Sequence, residues 1–156
     1  MERLGWTAIY LIIGILIGAS GCSSLAYDDR ELTQTWDQYI EKRVEFTSRF
    51  NNAMQEENIQ EVLATIKEFG RYTSDTYYKV LEYQVSPKLE KSHYWFAYHL
   101  RSQVDCCNQM GTYLKKASEG DESFLEYEGY YREFMRIPCD AADNHLQRAY
   151  ENFQRR

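Results

Sequence analysis

Two of the three histidines, His93 and His145, and three of the four cysteines, Cys106, Cys107 and Cys139, are spaced so that they could act together. Folding the chain back on itself near residue 120 sets position 93 opposite about 147. Both histidines then fall in one layer near one end of a helical bundle. Two imidazoles facing each other there could clamp a haem or a single metal ion. Glu90-Lys91-Ser92-His93 has the Glu-x-x-His spacing of di-metal carboxylate helices, but His145 has Ala142 at the matching offset, so the second copy of that motif is missing. No c-type haem attachment motif occurs either. The plainer reading makes His93 a boundary residue and His145 half-exposed, with no metal and no cofactor. The same fold-back puts positions 106 and 107 opposite about 134–135, with Cys139 one helical turn beyond. A disulfide from Cys139 to Cys106 or to Cys107 fits this geometry. Adjacent Cys106 and Cys107 cannot bridge within a regular helix, so one thiol is left as a small buried apolar group.

The remaining polar residues do not assemble a reaction centre. No Cys-x-x-Cys pair, Gly-rich phosphate loop, nucleophile elbow or two-histidine zinc helix is present. The carboxylates read as solvated helix faces, and Glu126 and Glu128 flank Tyr127 without forming an acid–base pair. A non-catalytic chain is expected. Its fourteen tyrosines are the notable excess. They cluster at Tyr77-Tyr78 with Tyr83, at Tyr94-Trp95-Phe96 with Tyr98, and from Tyr127 to Phe134. Neighbouring residues on a helix point about 100° apart, so not all can face one core. They fill the seams between helices, or Tyr78, Tyr94, Trp95, Tyr98 and Tyr130 form an exposed patch for another protein or a glycan.

Four amphipathic helices must position these groups. The first spans about Asp28 to Asn52, with an apolar stripe of Leu32, Trp36, Tyr39, Ile40, Phe46, Phe50 and Met54. The second starts near Asn58, with Glu61 in a capping-box arrangement, and carries Ile59, Val62, Leu63, Ile66, Phe69, Thr73, Tyr77, Val80 and Leu81. Ser86 is placed as the N-cap and Pro87 as the first residue of the third helix, whose stripe is Leu89, His93, Phe96, Ala97, Leu100, Val104, Cys107, Met110 and Leu114. Gly120 and Asp121 end it. The fourth runs from Phe124 through Tyr127, Tyr131, Phe134, Met135, Ala142, Leu146, Ala149 and Tyr150 to Phe153, and Pro138 inside it predicts a kink or a break. No stretch sustains a period of two, so no strand is expected. Short links make neighbours antiparallel. The fold class is all-α: an up-down four-helix bundle, or two helical hairpins that complete their core as a homodimer.

The first 22 residues are of another kind. Arg3 precedes an apolar run from Thr7 to Ile17, followed by Gly18-Ala19-Ser20-Gly21 and Cys22. Charged head, apolar middle and small-residue site form the layout of a secretory signal. The segment resembles the signal peptide and lipobox of bacterial lipoproteins. That resemblance implies cleavage before Cys22, a diacylglycerol on its sulfur, and an extracytoplasmic, lipid-anchored chain in the cell membrane or outer membrane. An exported chain also meets the oxidising conditions that favour a disulfide. The alternative is a retained single span from Trp6 to Ser20. The division that follows is signal 1–21, lipidated tether 22–27 and helical domain 28–156. With a net charge of −6 the domain gains nothing from counterion release, which excludes nucleic acid as a partner. The function expected is an envelope lipoprotein with a helical binding or adaptor domain that meets the membrane through its lipid and another envelope protein through its surface.

Overall fold

The apolar periodicity of about 3.6 residues is realised as four helices: α1 Asp29–Gln55, α2 Ile59–Leu81, α3 Glu90–Glu119 and α4 Glu128–Gln154. The computed structural model describes residues 27–120 and 126–154, among which there is no strand. Consecutive helices pack against each other in an all-α four-helix bundle. The α1–α4 seam is closed by a Trp36–Phe153 ring stack with centroids 4.4 Å apart and by an Arg43–Asp143 ion pair at 3.1 Å. The main core holds Leu32, Trp36, Tyr39, Phe96, Leu100 and Phe153, and a second cluster holds Ala53, Val62, Ile66 and Cys107. No helix among the described residues is long and apolar enough to cross a membrane. Cys22 and the segment before it lie outside the described residues, as do Asp121 and Phe124.

Local chemistry explains the helix ends. Asn58 caps α2, its Oδ1 accepting from the Glu61 amide at 3.1 Å, as the capping spacing predicts. Gly120 ends α3 at φ 65°, a left-handed conformation that costs glycine nothing. Glu57 takes φ 53° in the tight α1–α2 turn, where a side chain is strained. The predicted start of α3 is corrected. Helix begins at Glu90, and residues 87–89 form a turn closed by the Leu89 amide on the Ser86 carbonyl at 2.9 Å. Ser86 is not an N-cap, because its amide and hydroxyl both donate to the Asp29 carboxylate, at 2.8 and 2.7 Å. Beside it, Asp28 and Gln84 exchange hydrogen bonds at 2.8 Å in both directions. The start of α1 is thereby tied to the α2–α3 connection.

α4 runs through Pro138 without a break, at the cost of the amide hydrogen bond that residue 138 would give the Phe134 carbonyl. Several residues assigned to the core stripes are exposed: Met54, Leu81, Tyr127, Phe134 and Tyr150. The disulfide joins Cys106 of α3 to Cys139 of α4. Cys107 is the free thiol and is buried. One residue turns the side chain by about 100°, so Cys106 faces α4 while Cys107 faces α2. There Gly70 allows close approach; a Cβ at position 70 would lie 3.2 Å from the Cys107 Cβ. Opening the bridge, with a sequence separation of 33, should cost about 3–4 kcal/mol in the loop-entropy description. The check is urea unfolding of the Cys106→Ala/Cys139→Ala double variant against the oxidised chain. Full helicity at a lowered midpoint is the expected outcome.

Candidate functional site

The most buried polar groups form one layer across the middle of the bundle. Tyr39 of α1 and His99 of α3 have no exposed surface. His99 Nδ1 lies 2.8 Å from the Ala142 carbonyl oxygen of α4, and Nε2 lies 2.9 Å from the Tyr39 hydroxyl. A carbonyl can only accept, so Nδ1 carries the proton and Nε2 accepts from Tyr39. The Thr73 side chain of α2 adjoins the same phenol, and its buried hydroxyl has no hydrogen-bond partner. Each helix therefore supplies a group to this layer. Burial pushes the His99 imidazole down from 6.5 to about 4, against the opposing pull of its bond to the Ala142 carbonyl and with smaller help from the positive charge of Arg43. Burial pushes the Tyr39 phenol up beyond its ordinary range. Both stay neutral at physiological pH, and no solvent reaches either. The layer holds helices together; it is not poised to exchange protons with a substrate.

The sequence pattern passed over His99, although its spacing was readable. Ser92, Phe96, His99, Gln103 and Cys106 are three or four apart and all buried, so they mark the true inward line of α3. Val104, placed in the predicted stripe, is only half-buried.

The two histidines singled out from spacing are not brought together. His93 lies in the α2–α3 seam, where its Nε2 donates to the Val80 carbonyl at 2.7 Å. His145 lies in the α3–α4 seam, with Nδ1 3.1 Å from Ser102 Oγ and its ring packed between Trp95 and Tyr98. Burial and then Arg148 lower its pKa. No group of three or more metal-ligating side chains occurs among the described residues. The Cys107 thiol is raised by burial, which leaves it protonated and unreactive.

The predicted aromatic patch separates into three parts. On α3, Tyr94, Trp95 and Tyr98 form a contiguous cluster, with centroid distances of 4.6 Å for Tyr94–Tyr98 and 5.0 Å for Tyr94–Trp95. The two tyrosines are exposed and Trp95 is half-buried, packed on the main core beneath them. From α4, His145 lies 5.6 Å from the indole centroid and the Arg148 guanidinium 4.5 Å from it. Tyr78 is exposed on α2 with Tyr77 as its ring neighbour, and Tyr130 is exposed on α4 with Tyr131 and Phe134. The α3 cluster is therefore a contiguous aromatic surface backed by residues of α3 and α4. A scan against protein-family models and searches of curated proteins and of solved structures find no match to this chain. The site stands on its own geometry.

The buried layer predicts a pH dependence. Between pH 6.5 and about 4 the unfolded chain takes up a proton that folded His99 refuses. Stability is then full above the unfolded pKa and falls as pH drops toward the folded one, by about 3 kcal/mol in all. His99→Gln keeps an acceptor and a donor but cannot titrate. Its unfolding free energy, measured from neutral pH down to about 4, should lose about 3 kcal/mol less than the wild type.

Proposed function

We propose that the chain is a lipid-anchored, extracytoplasmic envelope protein whose helical domain binds another envelope protein and performs no catalysis. The reading is carried by the Tyr94–Trp95–Tyr98 surface: large contiguous rings, two of them exposed, with Trp95 packed against His145 and Arg148 and Tyr98 against His145. Aromatic side chains so packed lose little conformational freedom on contact and offer area together with hydroxyl groups. The closed Tyr39–His99 layer supports a binding role, because the buried polar chemistry serves the fold.

The anchor follows from the lipobox resemblance at Gly21-Cys22, and the tether gives it a geometric consequence. Five or six residues between a lipidated Cys22 and α1 reach at most ~20 Å. The Asp28–Gln84 and Asp29–Ser86 bonds hold the start of α1, to which that tether would lead, at the α2–α3 end of the bundle. Tyr94 and Tyr98 follow within roughly 6–12 Å of the start of α3. The contact surface would thus lie just above the bilayer, within reach of a membrane-seated partner. The acidic balance of the chain leaves the lipid as the membrane anchor.

Two measurements test this. Cys22→Ser should retain the mass of the unprocessed chain, without diacylglycerol; a processed, acylated product from that variant would contradict the anchor. A photo-crosslinking residue at position 98 should capture one membrane protein in intact cells, while the same residue at exposed Val44 captures none. Tyr98 is the better probe than Trp95, since truncating the half-buried indole also removes core contacts.

A further inference from the structure

The seam between α2 and α3 opens into a groove on the outside of the bundle. Each helix contributes a glycine to it, Gly70 from α2 and Gly111 from α3. A Cβ at Gly70 would lie 3.2 Å from the Cys107 Cβ, and one at Gly111 would lie 3.8 Å from Ile66 Cγ2. The helices approach closely here, and the two missing side chains leave a hollow of about 280 Å³ between the residues that flank them. Those residues are Lys67 and Arg71 on α2 and Asn108, Thr112 and Lys115 on α3, all exposed.

Three of these five side chains are cations, and no carboxylate lines the groove. In a chain of net charge −6 this is a local reversal of sign. Lys67 and Arg71 have no ion pair among the described residues. The neighbouring carboxylates leave them so. Glu68 accepts from Arg49 at 2.9 Å, and it lies with Asp75 in a separate hollow on the α1 side that Arg71 also borders. Glu119 lies one turn beyond Lys115, with only a 3.8 Å contact to its Nζ. Asp105 lies one turn before Asn108 and outside the groove. Like charges at i and i+4 on one helix repel, so Lys67 and Arg71 oppose the fold slightly until an anion lies between them.

The Gly70–Cys107 and Gly111–Ile66 approaches fix the register of the two helices. Residue 67 then lies level with about 110, and residue 71 with about 106. The three cations span about 13 Å along the seam. One carboxylate or one halide meets a single cation over that span. Linked phosphoryl groups meet several, and the Arg71 guanidinium offers the planar fork that pairs with phosphate through two donors. The Asn108 amide and the Thr112 hydroxyl line the same hollow as polar partners.

We propose that the groove between Lys67, Arg71 and Lys115 binds an anion that carries two or more linked phosphoryl groups, free in solution or borne on a lipid. The groove is separate from the Tyr94–Trp95–Tyr98 surface, which packs toward α4, and it needs no anchor, so either can fail without the other.

The test titrates the full chain, in nanodiscs of zwitterionic lipid, with pyrophosphate and separately with acetate. The amide NMR signals of Gly70 and Gly111 report occupancy. Pyrophosphate should shift both and saturate, at least about tenfold more tightly than acetate, and added salt should weaken it. Lys67→Gln/Arg71→Gln should lower the affinity at least about tenfold. Lys88→Gln/Lys91→Gln makes the same charge change at exposed positions near the start of α3 and should leave it unaltered. Gly111→Glu sets a carboxylate in the hollow, where its Cβ has ordinary room, and should abolish binding. Displacement of pyrophosphate by vesicles containing geranylgeranyl diphosphate supports a lipid-borne ligand, and no displacement supports a soluble one. Unmoved glycine signals, equal affinity for acetate, undiminished binding by the Lys67/Arg71 variant, or an equal loss in the Lys88/Lys91 variant would each overturn the proposal.

Discussion

His99 must satisfy two ring nitrogens inside the bundle, and the packing of three helices follows from how it does so. Its Nδ1–H reaches the Ala142 carbonyl and its Nε2 receives the Tyr39 hydroxyl. A buried polar group without partners costs about 1–3 kcal/mol, so sliding α1 or α4 by one turn would strand a donor or an acceptor at full cost. Apolar contacts tolerate such slips far better, because leucine and phenylalanine pack against many neighbours. The layer therefore sets register where Trp36, Phe96 and Phe153 supply most of the cohesion. Thr73, buried beside the same phenol with its hydroxyl unpaired, is the one place where α2 fits this layer incompletely.

Two ties fix what the layer leaves free. The Asp28 and Asp29 bonds hold the start of α1 to the α2–α3 connection, and the Cys106–Cys139 bridge holds α4 to α3 near its first half. With α4 fastened to α3, its first half covers little of α1. Its Tyr130–Phe134–Ile137 line is left facing outward, while the second half presses His145 and Arg148 against Trp95. Both exposed apolar surfaces thus lie on the α3–α4 side.

Much of the fold was legible because it rests on local rules. Helix count, the Asn58–Glu61 cap, the glycine stop at position 120 and a bridge to Cys139 all follow from spacing and residue type. What was not legible depended on distant groups. Ser86 is a good cap by type, but the Asp29 carboxylate across the bundle claims its hydroxyl. Cys106 and Cys107 are equivalent until helix phase is known, and the close approach at Gly70 sets that phase. His93 and His145 share a level by fold-back arithmetic, yet face different seams. Phe134 and Met135 are adjacent apolar residues, and periodicity alone could not say which would face outward. His99 was hidden by its apolar neighbour Leu100, which drew the stripe one residue aside.

Among the described residues, the deeply buried Tyr39–His99 pair is locked in a structural role. The most direct test is the imidazole nitrogen spectrum of His99 as a function of pH. A neutral ring protonated on Nδ1, resisting further protonation until about pH 4, is the predicted result. A ring that titrates near 6.5, or carries its proton on Nε2 at neutral pH, would contradict it and make His99 a chemically available group.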